Sequence, residues 1–144
     1  MLILLNYILV NLIWAIEPLA NKYFLKYINI STLMFIISTI YLFIVALIAF
    51  KNRNKFQKDI ITLKKNKYII LFITIMTVML IISSYGYLYL VNNQKAAIVT
   101  ILTSVYPIIT LILGYKYFNE TLTRNEFIGF TLVLLGILFI NLKN

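Results

Sequence analysis

The chain has 144 residues, of which 62% are hydrophobic and 12% are charged. Because soluble globular domains average about 25% charged residues, this composition excludes a soluble domain, and the high hydrophobicity excludes a disordered chain. The sequence contains no cysteine and no histidine, which excludes thiolate nucleophiles, disulfides and histidine acid–base chemistry. The composition therefore indicates an integral membrane protein.

The net charge of +9 is concentrated in one segment, since seven of the thirteen Lys and Arg residues lie between Lys51 and Lys67. A nucleic-acid-binding domain would carry basic residues interleaved with stacking aromatic residues, and the rest of the sequence has no such stripe. Basic residues crowded into one loop are typical of a membrane protein whose orientation they fix. We therefore expect the lipid bilayer as a partner, and no nucleic acid.

Five stretches of the chain come close to the roughly 20 mostly apolar residues that a membrane helix needs. They are residues 2–21, 31–50, 68–90, 96–115 and 124–142. The sequence therefore predicts an all-α protein with five transmembrane helices. The polar, basic segment 51–67 is predicted to be a loop that can hold a short surface helix.

The first predicted helix concentrates its polar residues within an arc of about 140°, at about 100° per residue. These residues are Asn6, Tyr7, Asn11, Trp14, Glu17, Pro18 and Asn21. Lipid does not tolerate Asn and Glu on its side of a helix, so a polar arc indicates a neighbouring helix or a cavity. Asn11, Trp14, Glu17 and Asn21 are therefore candidates for substrate or proton binding.

Glu17 is the only acidic residue in the interior of a predicted span, since Glu126 lies in the first turn of the fifth. It lies roughly 22 Å along its helix, beyond the midplane but within the hydrocarbon core. Low-dielectric surroundings favour the neutral acid, which would let Glu17 exchange protons near neutral pH. The alternative interpretation is that Glu17 reaches the headgroups or pairs with Lys22 or Lys26.

Later helices carry further polar and small residues. Tyr85 and Tyr106 lie deep enough in their helices to line a cavity. Small and polar residues at 3-4-3-4 spacing form one face of the fourth helix: Thr100, Thr103, Pro107, Thr110 and Gly114. Such a face allows close helix packing. For the Thr residues we favour this interpretation over substrate contact. Thr103 is also a candidate binding residue. Gly129 and Gly136 are predicted to form a packing groove on the fifth helix.

The start of the fifth helix carries a capping-box pattern, in which Thr123 is followed three positions later by Glu126. In such a box the hydroxyl and the carboxylate satisfy backbone N–H groups that have no helical partner. The fifth helix is therefore predicted to begin at Arg124.

The second half of the sequence resembles the EamA domain of the drug/metabolite transporter superfamily. The resemblance lies in four motifs: residues 95–99 (KAAIV), 104–110 (SVYPIIT) with its Tyr-Pro pair, 119–123 (NETLT), and the glycines at 129 and 136. It implies a five-helix repeat, one half of a ten-helix inverted-repeat fold. One departure is that the basic residue usual in the second helix of the family is absent.

The resemblance implies a secondary transporter, or half of one, for a small metabolite or cationic compound. Such a transporter would work by alternating access, with Glu17 as the proton or cation site. A weaker resemblance is to small multidrug resistance proteins, whose first helix carries a membrane-embedded Glu comparable to Glu17. The alternative function is a non-transporting subunit or regulator that pairs with a larger transporter. No catalytic residue, metal-ligand set or cofactor motif is found in the sequence, so no enzyme activity is expected.

A lone repeat lacks the second wall of an inverted-repeat site, so we expect a homodimer or a second five-helix half as partner. Seven basic residues in one loop disfavour insertion of the chain in both orientations. The pairing is therefore predicted to be a parallel homodimer, or to use an inverted partner encoded as a separate chain.

The basic residues predict one orientation, with the N-terminus and segment 51–67 cytoplasmic and the C-terminus outside. Nine basic residues fall on the cytoplasmic side of this arrangement and four on the other, as the positive-inside rule requires. A cysteine introduced at position 58 is expected to resist a membrane-impermeant thiol reagent added to intact cells, with no background from native cysteines. Labelling at position 58, or C-terminal reporter fusions that report a large cytoplasmic fraction, would contradict this topology.

Overall fold

The computed structural model describes residues 2–141, which form helices and connecting turns with no strand among them. The helices are α1 (Leu2–Phe24), α2 (Ile30–Lys51), α3 (Arg53–Lys65), α4 (Lys67–Asn93), α5 (Ala96–Thr103), α6 (Tyr106–Phe118) and α7 (Arg124–Asn141). They belong to two compact units, one containing α1–α4 and the other α5–α7. Position 142, the predicted end of the last helix, and Lys143 lie outside the described residues.

Four segments of the described chain are long and apolar enough to cross a membrane. They are Ile3–Phe24, Ile30–Lys51, Lys67–Asn93 and Ala96–Phe118, and at most 11% of the most apolar window of each is buried. Apolar side chains left exposed over whole helices are covered by lipid in a membrane protein. The all-α membrane class is confirmed, whereas α7 is not among the four segments.

In the first unit, α4 packs against both α1 and α2. The buried side chains near the end of α4 are Leu88 and Val91, and α2 contributes Leu33. The Lys22 ammonium of α1 donates a hydrogen bond of 3.1 Å to the Val91 carbonyl, one of the last carbonyls of α4, which have no partner inside their own helix. A basic group is well placed there, because the carbonyl end of a helix is partly negative.

The polar segment 51–67 is almost entirely helical, since α3 covers Arg53–Lys65. Single residues, Asn52 and Asn66, separate α3 from α2 and α4. The apolar residues of α3 recur at helical spacing, and α3 packs against both neighbouring helices. The segment is thus a surface helix within the predicted loop.

In the second unit, the helix predicted as continuous over 96–115 is interrupted at Ser104 and Val105. The cause is Pro107, which lacks an N–H group and whose ring clashes with the carbonyl four residues earlier, that of Thr103. The Ser104 N–H closes α5 by donating to Thr100 O at 3.1 Å and to Ile101 O at 3.2 Å. The prediction of one unbroken helix was therefore wrong, although the two pieces together still form one candidate span.

The turn between α6 and α7 depends on two local features of its sequence. Asn119 adopts a left-handed backbone conformation, with φ of 55°, which Asn tolerates better than most residues. Glu126 Oε2 accepts hydrogen bonds of 2.7 Å from both the Thr123 N–H and the Thr123 hydroxyl. The Glu126 N–H in turn lies 3.4 Å from the Thr123 hydroxyl oxygen. The capping box is confirmed, and α7 begins at Arg124 as predicted.

The capping box makes the Glu126 carboxyl titrate below an ordinary glutamate. Glu126 precedes the uncharged stretch that begins at Phe127, and the Thr123 N–H and hydroxyl lower its pKa by bonding to the carboxylate. Because the folded-state pKa is the lower one, the cap stabilises α7 above the unfolded pKa, and this contribution is lost as the pH falls through the folded pKa. Thr123→Ala keeps the backbone N–H but loses the hydroxyl, so the titration midpoint is expected to rise partway toward 4.5.

Carbon-13 NMR of the Glu126 carboxyl in detergent micelles measures this midpoint. Thr121→Ala removes a hydroxyl two residues away, outside the box, and is expected to leave the midpoint unchanged. A midpoint at or above the ordinary value in the unsubstituted chain would show that the box does not form.

Candidate functional site

The polar arc of α1 is divided by the fold into a buried end and an exposed remainder. Pro18 is buried, and Asn21 is only 4% exposed. Trp14 is 57% exposed, and Asn11 and Glu17 are exposed as well. Only the end of the arc nearest Lys22 is therefore enclosed within the chain.

The exposed polar residues of α1 have few partners in the chain itself. The Asn11 side-chain amide donates to the Tyr7 carbonyl of its own helix at 2.8 Å. Glu17 makes no hydrogen bond or ion pair in the part of the chain that the structure describes, while Lys22 donates to Val91 O of α4. Pairing of Glu17 with Lys22 or Lys26, the alternative raised by the sequence, is therefore not seen.

Asn21 is the one buried polar side chain among the described residues. Its amide has no hydrogen-bond partner there, yet each of its polar atoms keeps some accessible surface. A buried amide without a protein partner is costly unless water or a ligand satisfies it. Asn21 therefore has the properties expected of a binding residue at the enclosed end of α1.

The candidate tyrosines are half-exposed. Tyr85 of α4 is 49% exposed and Tyr106 of α6 is 56% exposed. No ring contact is found for either among the described residues, so both rings are available to a ligand or to another chain. Tyr85 and Glu17 are both binding candidates in the first unit, but no hydrogen bond joins them.

The threonine hydroxyls of α5 and α6 bond to their own helices. The hydroxyls of Thr100, Thr103 and Thr110 donate to the carbonyls four residues earlier, at 2.9, 2.8 and 3.2 Å. In the absence of water, such back-bonding satisfies a hydroxyl inside a membrane. None of the three hydroxyls bonds to another helix among the described residues, and the break at Ser104 and Val105 divides the face predicted from the spacing into two parts.

The second unit contains a cavity of about 650 Å³ beside α6. Its walls include two acidic and two aromatic side chains: Glu120, Glu126, Tyr106 and Tyr115. The whole chain has only four acidic residues, so half of them line this one cavity. Carboxylates and tyrosine rings together favour a cation with an apolar body. The sequence indicates the cavity only by placing Glu120 in the turn between α6 and α7 and Glu126 in the first turn of α7.

Gly114 is buried under the Glu120 side chain. A Cβ atom at Gly114 would overlap the Glu120 carboxylate and would lie 3.2 Å from its Cδ. The Glu120 N–H also donates to the Gly114 carbonyl at 3.2 Å. Gly114 therefore lets Glu120 fold back against α6, where its carboxylate forms part of the cavity wall.

Gly129 and Gly136 of α7 have open surroundings. No atom lies within 4 Å of the Cβ position at either glycine among the described residues. The packing groove predicted on this face is thus not filled by the chain itself, and its packing partner stays a prediction. Pro107, predicted as a packing residue, is exposed and lines the cavity beside α6.

These features define the class of the protein: an all-α membrane protein whose spans carry polar faces and an acidic cavity. The family model described as the EamA-like transporter family matches residues 1–142. The chain therefore belongs to the EamA-like transporter family, a family of transporters rather than enzymes.

One curated relative extends the comparison. The chain is similar to an uncharacterized protein of Methanocaldococcus jannaschii, at 38% identity over 56 residues, covering 39% of this chain and 41% of that protein. The chain thus spans less than half of the relative's length. No solved structure matches the chain significantly.

The different surroundings of the glycines predict different effects of leucine at two positions. Gly114→Leu is expected to destabilise the fold by about 1 kcal/mol or less, because the atom its Cβ overlaps is the end of the flexible, exposed Glu120 side chain, which can move away from α6. Gly129→Leu is expected to leave the stability of one chain nearly unchanged, because its Cβ meets open space, but to weaken self-association if another helix packs there.

Melting temperature in detergent and oligomer size by light scattering, measured for both variants, separate the two effects. A loss of stability well above about 1 kcal/mol for Gly114→Leu would contradict the free movement of the Glu120 side chain away from α6. An unchanged oligomer size for Gly129→Leu would remove this face of α7 from any interface.

Proposed function

We propose that the chain is a five-span half of a secondary transporter for a small metabolite or cationic compound. It is a single EamA-like domain over residues 1–144, with α7 as the fifth span and α3 on the cytoplasmic side. The observation that carries the proposal is Glu17, an acidic residue within an apolar span that has no partner in the described chain. A carboxylate at that depth is costly, and membrane proteins keep one there for ion or substrate chemistry.

The cationic substrate class is supported by the cavity beside α6. Two carboxylates, those of Glu120 and Glu126, and the rings of Tyr106 and Tyr115 line it. An organic ammonium would gain charge attraction from the acids and cation–π attraction from the rings. The apolar part of such a substrate would contact Pro107, which also lines the cavity.

Alternating access needs a second half that packs against this one. Exposure of Asn11, Trp14 and Glu17 on α1 supports this requirement, since lipid disfavours polar groups at membrane depth. The open face of Gly129 and Gly136 provides a surface on which another helix can approach closely. A second copy of this chain would pair in the parallel orientation, because the charge of segment 51–67 disfavours dual insertion.

In this mechanism Glu17 binds a proton or a cation in turn with the substrate. Protonation removes the charge of the Glu17 carboxylate and so lowers the free-energy cost of holding this side chain in the hydrocarbon core. The state in which the binding site is closed to both sides of the membrane is then favoured when the Glu17 carboxyl is protonated or binds a cation. Asn21, buried without a protein partner, would hydrogen-bond the substrate at the enclosed end of α1.

Substitution of Glu17 tests the proton site directly. Glu17→Gln keeps the size and hydrogen-bonding capacity of the side chain but removes the charge. We expect it to abolish the pH dependence of uptake into proteoliposomes and to reduce the rate at least about tenfold, with little change in melting temperature. General acid–base and charge effects of this kind are commonly worth that factor or more.

Asp59→Asn is the matched control, because it makes the same acid-to-amide change on α3, outside the spans. It is expected to leave uptake and its pH profile unchanged. The assay uses a panel of organic ammonium compounds and neutral metabolites, with and without an imposed pH gradient. Full activity of Glu17→Gln across the pH range would refute the proton-site role, and absence of uptake for every compound in both orientations would favour a non-transporting subunit.

A further inference from the structure

The most charged surface of the molecule is α3 with its two flanking positions. Seven basic residues are exposed here: Lys51, Arg53, Lys55, Lys58, Lys64, Lys65 and Lys67. The segment contains one acid, Asp59, and none of the seven makes an ion pair in the part of the chain that the structure describes. Five of the seven lie in the 13-residue helix α3, and Lys51 and Lys67 lie at the adjoining ends of α2 and α4. An excess of positive charge that is not neutralised by ion pairs attracts anions.

The connections of α3 hold it at the bilayer surface. It is joined through Asn52 to α2 and through Asn66 to α4, both of which are candidate membrane spans. A single-residue link cannot carry α3 away from the membrane, since one residue spans at most about 3.6 Å. Packing of α3 against both spans also keeps it at that surface.

α3 is amphipathic, with apolar residues on one face and basic residues on the other, as in helices that lie at a membrane interface. Phe56, Ile60 and Leu63 recur at spacings of four and three and so share one face. Ile60 and Leu63 are half-buried, whereas Phe56 is 50% exposed. The opposite face carries basic residues: Lys55, Lys58 and Lys65. Long lysine side chains can lay their methylene groups along the apolar boundary while the ammonium reaches the headgroups.

We propose that α3 binds the phosphate groups of anionic lipid headgroups and concentrates such lipids around the cytoplasmic end of α2 and α4. The ligand chemistry is a phosphodiester carried by a membrane lipid. Lipid is favoured over a soluble anion because α3 is held at the headgroup level and exposes Phe56 beside its charges. This role for α3 is independent of what the protein transports.

The association of lipids with the full chain can be measured by electron paramagnetic resonance. The purified protein is reconstituted in bilayers of phosphatidylcholine that contain trace spin-labelled phosphatidylglycerol or spin-labelled phosphatidylcholine. The motionally restricted fraction of each label gives the relative affinity of the two lipids. We expect the native chain to prefer phosphatidylglycerol by about threefold or more at low salt, and to lose most of this preference at about 1 M NaCl, where the Debye length is about 3 Å.

A pair of charge-matched variants assigns the preference to α3. The variant K55Q/K58Q/K65Q is expected to bring the ratio of the two lipids close to one. The control K26Q/K95Q/K116Q removes the same number of charges elsewhere and is expected to keep most of the preference. Both triple variants change exposed side chains, and equal melting temperatures in a neutral detergent establish that both are folded.

Three results would overturn the proposal. The native chain could show no preference for phosphatidylglycerol at low salt. Both triple variants could lose the preference equally, which would reflect net charge alone. Inorganic phosphate at low ionic strength could abolish the preference where an equal ionic strength of NaCl does not, which would make α3 a site for soluble anions.

Discussion

The polar groups within the spans of this protein are constrained by the lack of water in the hydrocarbon core. Backbone groups at that depth must bond within the protein, and the four candidate spans meet this demand by being helices. Side chains obey the same constraint, since the hydroxyls of Thr100 and Thr103 return to their own backbone. The Lys22 ammonium donates to a carbonyl at the end of α4. A polar side chain within a span that has no hydrogen-bond partner is therefore a candidate for a functional role.

Asn21 and Glu17 of α1 both lack a hydrogen-bond partner among the described residues, in opposite surroundings. Asn21 is enclosed by the chain, whereas Glu17, four residues earlier, is exposed. In a membrane the first is suited to a ligand or water and the second to another protein surface or a transported ion. Membership of the EamA-like transporter family, matched over residues 1–142, gives both positions a functional context. The acidic cavity beside α6 adds a second, independent place where a cation is favoured.

The interruption between α5 and α6 is also shaped by the need to satisfy backbone hydrogen bonds in the hydrocarbon core. Pro107 removes one backbone donor, and the chain responds by closing α5 through Ser104 and restarting the helix at Tyr106. Irregular backbone at membrane depth is tolerated where protein or water covers it. The break is confined to Ser104 and Val105, in the middle of the Ala96–Phe118 segment.

The sequence by itself determined the all-α membrane class, the position of most helices, the basic surface segment and the capping box at Thr123 and Glu126. These features depend on composition, on uninterrupted apolar length and on hydrogen bonds between residues three positions apart, which are local properties. Only the tertiary structure decided that Asn21 is buried while Glu17 is exposed, and that Glu120 folds over Gly114 to line a cavity. Helical periodicity places such residues on one arc or near one turn, but which part of the arc is covered depends on the neighbouring helices that pack against it.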